Sequence, residues 1–435
     1  MSDVLSADVL SRAVEDEVGA YRERIYSPLV TLSMFVSQNL SADGACQDAV
    51  ARGLSERVCG GRAACSVNTG PYCKARQRLP EGLVWRLLRD VGQHLTQNSP
   101  AHWNFRGRVV KIVDGTTVSM PDTAANQARY PQSAEQKPGL GFPIARLVAL
   151  LSFGSGVLTD AALGPYKGKE TGEHALLREL LPRLTAGEVL VGDHYYGTYF
   201  LLAQLKERGI DSLFGKHGAR KSDFRTGRRL GPKDHVVIWK KPKRPAWMDA
   251  ATYAGIADIL EVREIKARGH VIVSTLTEAK QAGKAELTEL YTGRWSVELD
   301  LRSIKSVLGM DLLRCKTPAM IEKEIAVYLL GYNLIRAVMA RAAVRAHLVP
   351  RQLSFKGALQ LWSAFADGLR RASAALGVLL REHLWVGIAQ LRVGQRPGRH
   401  EPRAIKRRPK PTPLLRVPRA VARQKLEEKY ARVWA

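Results

Sequence analysis

Five polar side chains recur at helical spacing between residues 287 and 308, and together they could handle phosphate chemistry. They are Tyr291, Arg294, Glu298, Arg302 and Lys305, each three or four positions from the next. Seven residues make almost two helical turns, so this spacing predicts that Tyr291, Glu298 and Lys305 share one face. One acid in a row of cations suits metal and phosphate binding. The spacing is equally typical of a solvated face with ion pairs between arginine and glutamate.

Two aspartates each follow a strand-like run. Asp114 ends the β-branched run 108–113, and Asp193 ends the apolar run 188–192. Sites in α/β sheets form where strands end, although a single Asp there is often a turn residue. Three converging carboxylates repel one another unless cations lie between them, and hard divalent cations prefer oxygen ligands. We therefore predict a metal centre of Asp114, Asp193 and Glu298, where two ions about 3.5 to 4 Å apart could activate water or a 3′ hydroxyl.

These three regions resemble the motifs of a known family. The sequence Asp-Gly-Thr stands at 114–116, and Asp-His-Tyr-Tyr-Gly stands at 193–197. The spacing Tyr-x2-Arg-x3-Glu-x6-Lys runs from Tyr291 to Lys305. Together they look like the three motif regions of DDE transposases of bacterial insertion sequences, and the third matches the signature of the insertion-sequence-four family. The resemblance covers roughly residues 30 to 420. His194 departs from the pattern, because many members carry Arg after the second Asp.

The resemblance implies a ribonuclease-H-like catalytic core, dependence on Mg2+ with Mn2+ as a substitute, and pairing of element ends by a homodimer. By position, Asp114, Asp193 and Glu298 would bind the metal, as two ions. The resemblance further implies that the polar face of the third motif contacts DNA, and its candidate DNA-binding residues are Tyr291, Arg294, Trp295, Arg302 and Lys305.

Several other residues are weaker candidates for the same site. Some relatives hold a flipped base against a tryptophan, which makes Trp239, Trp247 and Trp295 candidates by aromatic character, with core packing as the alternative for each. The acids Glu170, Glu173 and Asp300 could also join the metal centre, and we rank them below the three motif carboxylates.

Composition indicates a polyanionic partner. The 435 residues contain 67 Lys and Arg against 41 Asp and Glu, a net charge of +26. Nucleic acid is the usual partner of so basic a protein, although noncatalytic DNA-binding proteins share this charge. The sequence contains no run of about 18 apolar residues, so we expect no membrane span. The acidic N-terminal segment does not resemble a signal peptide. We therefore expect a cytoplasmic, nucleoid-associated bacterial protein with five reduced cysteines.

The order of predicted elements indicates an α/β fold with a mixed sheet. We expect a helical N-terminal DNA-binding domain over 1–105, for which a plain structural bundle fits the pattern equally well. The ribonuclease-H-like catalytic core takes 106–209 and 285–390, with one continuous helix from 287 to 308. A β-rich insertion takes 210–284. A basic, Pro-rich tail over 391–435 is expected to lie along phosphate, with a solvated tail as the alternative.

The favoured function is a DNA transposase that cleaves the ends of an insertion sequence and joins their 3′ hydroxyls to target DNA. Two alternatives remain open from the sequence. One is a catalytically inactive DNA-binding relative, against which the intact motifs argue. The other is a stand-alone nuclease of the same fold, which would cut DNA without joining it.

Overall fold

The computed structural model describes residues 4–41, 43–393 and 415–434. Its N-terminal part is helical, as predicted, and these helices share a hydrophobic core with the rest of the chain. Leu32, Phe35 and Leu87 pack in the same buried cluster as the later helix residues Ile325 and Leu329. The five N-terminal helices are α1 (Ala7–Glu17), α2 (Pro28–Leu40), α3 (Cys46–Cys59), α4 (Gly70–Arg78) and α5 (Glu81–Gln97).

Five strands form the ribonuclease-H-like core. They are β1 (Val110–Ser119), β2 (Ile144–Ser152), β3 (Leu158–Pro165), β4 (Val189–Gly192) and β5 (Asp211–Gly215), adjacent in the order β3-β2-β1-β4-β5. The first three are antiparallel, whereas β4 and β5 run parallel to β1. Helices α6 (Ala124–Arg129), α7 (Glu173–Leu180) and α8 (Tyr199–Glu207) lie in the connections. The predicted α/β fold with a mixed sheet is confirmed.

The β-rich segment continues this sheet. Strands β6 (Arg228–Gly231), β7 (Asp234–Lys240), β8 (Ile259–Ala267) and β9 (His270–Ser274), with the short helix α9 (Ala250–Gly255), extend it to nine strands. The junction is antiparallel pairing of β9 with β5. Strand β5 falls inside the range 210–284 predicted as insertion, yet its parallel pairing with β4 makes it part of the core sheet.

Helices resume after the sheet. They are α10 (Lys284–Gly293), α11 (Ser296–Arg302), α12 (Pro318–Arg345), α13 (Phe355–Arg371) and α14 (Ala374–Gln390). Helix α12 is the one helix of the described residues that is long and apolar enough to cross a membrane, but 94% of its most apolar window is buried inside the protein. Burial on all sides accounts for this composition, so α12 is a core helix.

The prediction of one continuous helix over 287–308 is wrong. Helix α10 ends at Gly293, α11 begins at Ser296, and a π-helical turn follows at Ser303–Val307. Gly293 packs so closely against Phe153 that a Cβ on this glycine would lie 2.7 Å from the ring. Between the two helices the backbone hydrogen bonds span only three residues, as from the N–H of Arg294 to the carbonyl of Tyr291, so the α-helical pattern is broken there. The helical registry that would align Tyr291, Glu298 and Lys305 on one face is interrupted twice.

Part of the predicted C-terminal tail is helical. Residues 394–414, which hold much of its basic and Pro-rich sequence, lie outside the described residues. Helix α15 (Arg419–Trp434) follows, and Arg419 forms an ion pair with Asp122 of the loop before α6. The sequence did not predict this helix. The proposed path of the tail along phosphate stays a prediction.

Candidate active site

Strand register brings Asp114 and Asp193 side by side. Strands β1 and β4 pair in parallel, with Ile112 opposite Val191. Asp114 and Asp193 each lie two residues further along their chains. Neighbouring strands are about 4.8 Å apart, so both aspartates lie at the carboxyl end of β4, at the same edge of the sheet core. The sequence predicted that Asp114 ends its strand, and this is wrong. Strand β1 continues to Ser119 in its pairing with β2, so Asp114 lies within β1, just beyond its pairing with β4, and Asp193 directly follows β4.

Asp114 lies in a negatively charged and largely buried environment. Its Oδ1 accepts a hydrogen bond of 2.8 Å from the backbone N–H of Gly115. Burial raises the pKa of Asp114 to about 6; the Gly115 hydrogen bond and the charge of Arg294 act to lower it, while the charges of Asp193 and Glu173 act to raise it. A bound cation would relieve both the loss of hydration and the repulsion between carboxylates.

Asp193 is oriented by the loop that follows β4. Its Oδ1 accepts a hydrogen bond of 2.8 Å from the N–H of Tyr195, and its Oδ2 lies 3.6 Å from Nδ1 of His194. The side chain of His194 is 72% exposed, so it is open to contact with a ligand outside the protein. Nε2 of His174, on α7, lies 2.7 Å from the carbonyl of Tyr195 and ties this loop to the helix.

Tyr291 and Arg294 approach the aspartates from the end of α10. A Cβ on Gly215 would lie 2.6 Å from Oη of Tyr291 and 2.8 Å from Cα of His194, so the tyrosine packs closely at the end of β5. The guanidinium of Arg294 lies 5.3 Å from the centre of the Trp295 ring. Its Nε is buried and has no hydrogen-bond partner in the described part of the chain. Trp295 itself is 58% exposed.

Glu298 is placed differently from the two aspartates. It lies in the first turn of α11 and is exposed, and its side chain has no hydrogen bond or ion pair with any described residue. Within the described ranges, no three His, Cys, Asp or Glu side chains converge closely enough to hold a metal ion. The structure therefore brings Asp114 and Asp193 together and leaves the Glu298 side chain outside their immediate contacts. The carboxylate oxygens of Asp114, Asp193 and Glu298 are nevertheless the type of ligand that a hard divalent cation prefers.

Lys305 contacts the strand that carries Asp114. Its Nζ donates hydrogen bonds of 3.1 Å to Oγ1 of Thr116 and 2.9 Å to the carbonyl of Thr117. Burial lowers the pKa of this ammonium group. The lysine of the third motif thus holds the π-helical turn against β1. Arg302, by contrast, is exposed and has no partner among the residues that the structure describes.

Three of the weaker candidates, Trp239, Trp247 and Asp300, have partners inside the protein. Trp239 is buried, and its indole N–H donates to Glu264. Trp247 packs under the guanidinium of Arg178, 4.0 Å from the ring centre. The carboxylate of Asp300 is also buried and is occupied by ion pairs with two arginines, Arg336 and Arg351.

Glu173, ranked low from the sequence, lies beside the first motif. A Cβ on Gly115 would lie 2.5 Å from its Oε1, and its Oε2 accepts a hydrogen bond of 3.1 Å from Oη of Tyr196. No local pattern singles Glu173 out, because it stands at the first turn of a helix where an acid is ordinary. The glycine of the Asp-Gly-Thr motif, Gly115, was the one feature of the sequence that could have pointed to a close neighbour.

Sequence comparison with known proteins finds transposases. The family model described as the transposase DDE domain matches residues 105–334. The chain is 29% identical over 354 residues, 77% of this chain and 76% of the relative, to the transposase InsG for insertion sequence element IS4 of Escherichia coli (strain K12). A match of 77 residues, 18% of this chain and 21% of the relative, is 30% identical to the transposase for insertion sequence element IS421 of Escherichia coli.

Among solved structures, the cryo-EM structure of the piggyBac transposase synaptic complex with hairpin DNA aligns over 91% of this chain and 85% of that chain. The TM-score is 0.46 and the sequence identity is 11%.

The family match spans more than half of the chain and includes Asp114, Asp193 and Glu298, so the chain belongs to the transposase DDE domain family. It is a DNA transposase, and DDE transposases generally use divalent metal ions. Its relative from element IS4 and its third motif place it with the bacterial transposases of the insertion-sequence-four type, as the motifs predicted.

Proposed function

We propose that this transposase hydrolyses one strand at each end of its insertion sequence and then joins the freed 3′ hydroxyls to target DNA. The observation that carries the proposal is the adjacent placement of Asp114 and Asp193, two residues beyond the last paired residues of the parallel strands β1 and β4. Both reactions displace an oxygen at a phosphodiester, so one carboxylate centre can serve both. The nucleophile changes from water to a 3′ hydroxyl.

Asp114, Asp193 and Glu298 would hold the metal, which we propose to be two Mg2+ ions, replaceable by Mn2+. When bound, such ions lower the pKa of the nucleophile and stabilise the leaving oxygen. The burial that raises the pKa of Asp114 also makes its ionised form a strong partner for a cation. Glu298 is exposed and unpaired within the described residues, so its carboxylate is available to close on the site when DNA and metal bind.

The surroundings of the carboxylates suit a DNA backbone. Buried Nε of Arg294 has no hydrogen-bond partner among the described residues, and a phosphate oxygen would satisfy it. We propose that Tyr291 and Arg302 add contacts to phosphate and that the exposed ring of Trp295 packs against the DNA. Lys305 already contacts β1, so we propose that it positions the third motif against the first as well as adding positive charge near the backbone.

The proposed partners are the terminal inverted repeats of the element, the target DNA and a second copy of this chain. A net charge of +26 favours binding to DNA, and recognition of two element ends requires two sites. We place the protein in the bacterial cytoplasm in association with the nucleoid. The helical N-terminal domain and the basic C-terminal tail are proposed to contribute DNA contacts outside the catalytic centre.

The experiment incubates the protein with a DNA that carries the flanking ends of its element and a supercoiled target plasmid, with Mg2+ or with a chelator. The proposal predicts cleavage at the ends and covalent joining to the plasmid only with the metal. Cleavage without joining under all metal conditions would instead indicate a nuclease of the same fold. Binding without cleavage would indicate a catalytically inactive relative.

Arg302 and Lys305 should respond differently to substitution by Ala, because among the described residues Lys305 hydrogen-bonds to β1 whereas the Arg302 side chain has no hydrogen bond or ion pair. We expect Arg302→Ala to lower the slope of log affinity against log salt by about 0.9, the value for one phosphate contact. We expect Lys305→Ala to change that slope much less and to reduce the cleavage rate. The measurement is fluorescence-anisotropy titration of end DNA over a salt series. Equal slope changes in both variants would contradict the assignment of Lys305 to positioning.

A further inference from the structure

The Asp-Gly-Thr motif makes room for a carboxylate that no motif includes. A Cβ on Gly115 would lie 2.5 Å from Oε1 and 2.8 Å from Oε2 of Glu173. Both distances are shorter than a carbon and an oxygen tolerate without a bond between them. Gly115 has no left-handed backbone that would require glycine. Its missing side chain therefore serves the close approach of Glu173.

The side chain of Glu173 is fixed at one oxygen and open at the other. It stands at the first position of α7, after Gly172. Oε2 accepts the hydrogen bond from Tyr196, whose side chain is fully buried and which follows Asp193 by three residues. Oε1 accepts no hydrogen bond from any residue that the structure describes. A carboxylate held in this way is oriented but keeps a free acceptor.

The helices that carry Glu173 and Glu298 pack on opposite faces of the sheet, and of these two acids it is Glu173 whose charge acts on Asp114. Successive side chains of a strand alternate between faces, so Asp114 lies on the face of Ile112 and Gly115 on that of Val113. Ile112 belongs to the buried cluster that includes residues 297 and 301 of α11. Val113 belongs to the cluster that includes residues 176 and 177 of α7. Helices α7 and α11, which carry these two acids, therefore cover opposite faces of β1 beside the end of β4.

We propose that Glu173 is a fourth carboxylate of the metal centre, with Oε1 as a ligand for a divalent cation on the α7 side of Asp114. This inference rests on the proposed metal-dependent function of the same site. Divalent cations of this class take six or more oxygen ligands, so a further carboxylate fits a centre that also binds phosphate. The glycine of the first motif then acts as a spacer that admits this ligand.

Metal binding, measured apart from activity, tests the assignment. The full chain is stripped with a chelator and titrated with Mn2+, and free Mn2+ is followed by electron paramagnetic resonance. We expect Glu173→Gln to weaken Mn2+ binding about tenfold or more. Gly115→Ala should have a similar effect, because its methyl group displaces the Glu173 carboxylate. Glu179→Gln, at an exposed acid on the same helix α7, is the matched control and should leave the affinity unchanged.

Asp114→Asn and Asp193→Asn separate failure of this inference from failure of the proposed function. If both weaken Mn2+ binding while Glu173→Gln does not, Glu173 is no ligand and the proposed centre stands. If none of these variants changes the affinity, both the centre and the inference are wrong. Thermal melting of each variant without metal shows whether the chain is folded. Glu173→Asp keeps the charge but has a shorter side chain, so it should bind Mn2+ with intermediate affinity.

Discussion

Replacing Asp193 with Asn lowers the rate of strand cleavage by at least about 1,000-fold, because metal ions supply several kcal/mol of transition-state stabilisation and each 1.36 kcal/mol is a factor of ten. The amide keeps the size of the side chain and can still accept the hydrogen bond from Tyr195. The loss is therefore one of charge at the metal, with little change in shape. The measurement is single-turnover cleavage of end DNA in Mg2+.

The matched control is Asp258→Asn, since the side chain of Asp258 is 92% exposed and lies in the β-rich extension of the sheet. It should cleave at the wild-type rate. Binding of end DNA in the presence of a chelator should remain within a few-fold of wild type for Asp193→Asn, because the reaction is blocked after binding. An Asp193→Asn protein that binds DNA normally and cleaves within tenfold of the wild-type rate would remove Asp193 from the metal centre.

Asp114→Asn is expected to stabilise the metal-free protein at pH 8 while it inactivates the enzyme. Folding raises the pKa of Asp114 from 3.8 to about 6, chiefly by burial, so the folded state holds this proton more tightly than the unfolded state. The stability of the wild type therefore falls as the pH rises between these two values. Above pH 6 the shift in the pKa of Asp114 costs the wild type about 3 kcal/mol of its free energy of unfolding. The neutral Asn side chain has no such cost.

The measurement is urea unfolding in the presence of a chelator, at pH 4 and at pH 8. The advantage of Asp114→Asn should be near its full size at pH 8 and largely absent at pH 4, where Asp114 is mostly protonated in the folded state. Glu207→Gln, at an exposed position on α8, controls for the loss of a negative charge and should show no such dependence. An advantage of equal size at both pH values would mean that burial of this carboxylate is not its cause.

Strand positions were well predicted from the sequence, because β-branched and apolar runs carry their own signal. The runs before Asp114 and Asp193 became the first half of β1 and all of β4, and their parallel register placed the two acids side by side. The end of the first strand was predicted too early, because pairing with β2 carries β1 on to Ser119. The pairing of β5 with β4 was missed. Strand order depends on contacts between distant segments, and a local pattern cannot distinguish the last core strand from the first strand of an insertion.

The third motif shows the limit of periodicity. Spacing of three and four residues predicted one straight helix, but Gly293 packs against Phe153 and the helix ends there. The π-helical turn then places Lys305 on Thr116 and Thr117. Both effects come from tertiary packing, which spacing along the chain does not encode. Glu173 was underrated for the same reason, since its importance depends on a glycine 58 positions earlier in the chain.

The most direct test of the metal centre exchanges its ligand atoms. Asp114→Cys, Asp193→Cys and Glu298→Cys each replace a hard oxygen with a softer thiolate, which disfavours Mg2+ and accepts Mn2+ more readily. The measurement is joining of end DNA to a target plasmid with each metal. The account predicts that these variants are inactive in Mg2+ and partly active in Mn2+, while the corresponding Ala variants are inactive in both. Joining by the Ala variants at the wild-type rate would contradict a catalytic centre built on these three carboxylates.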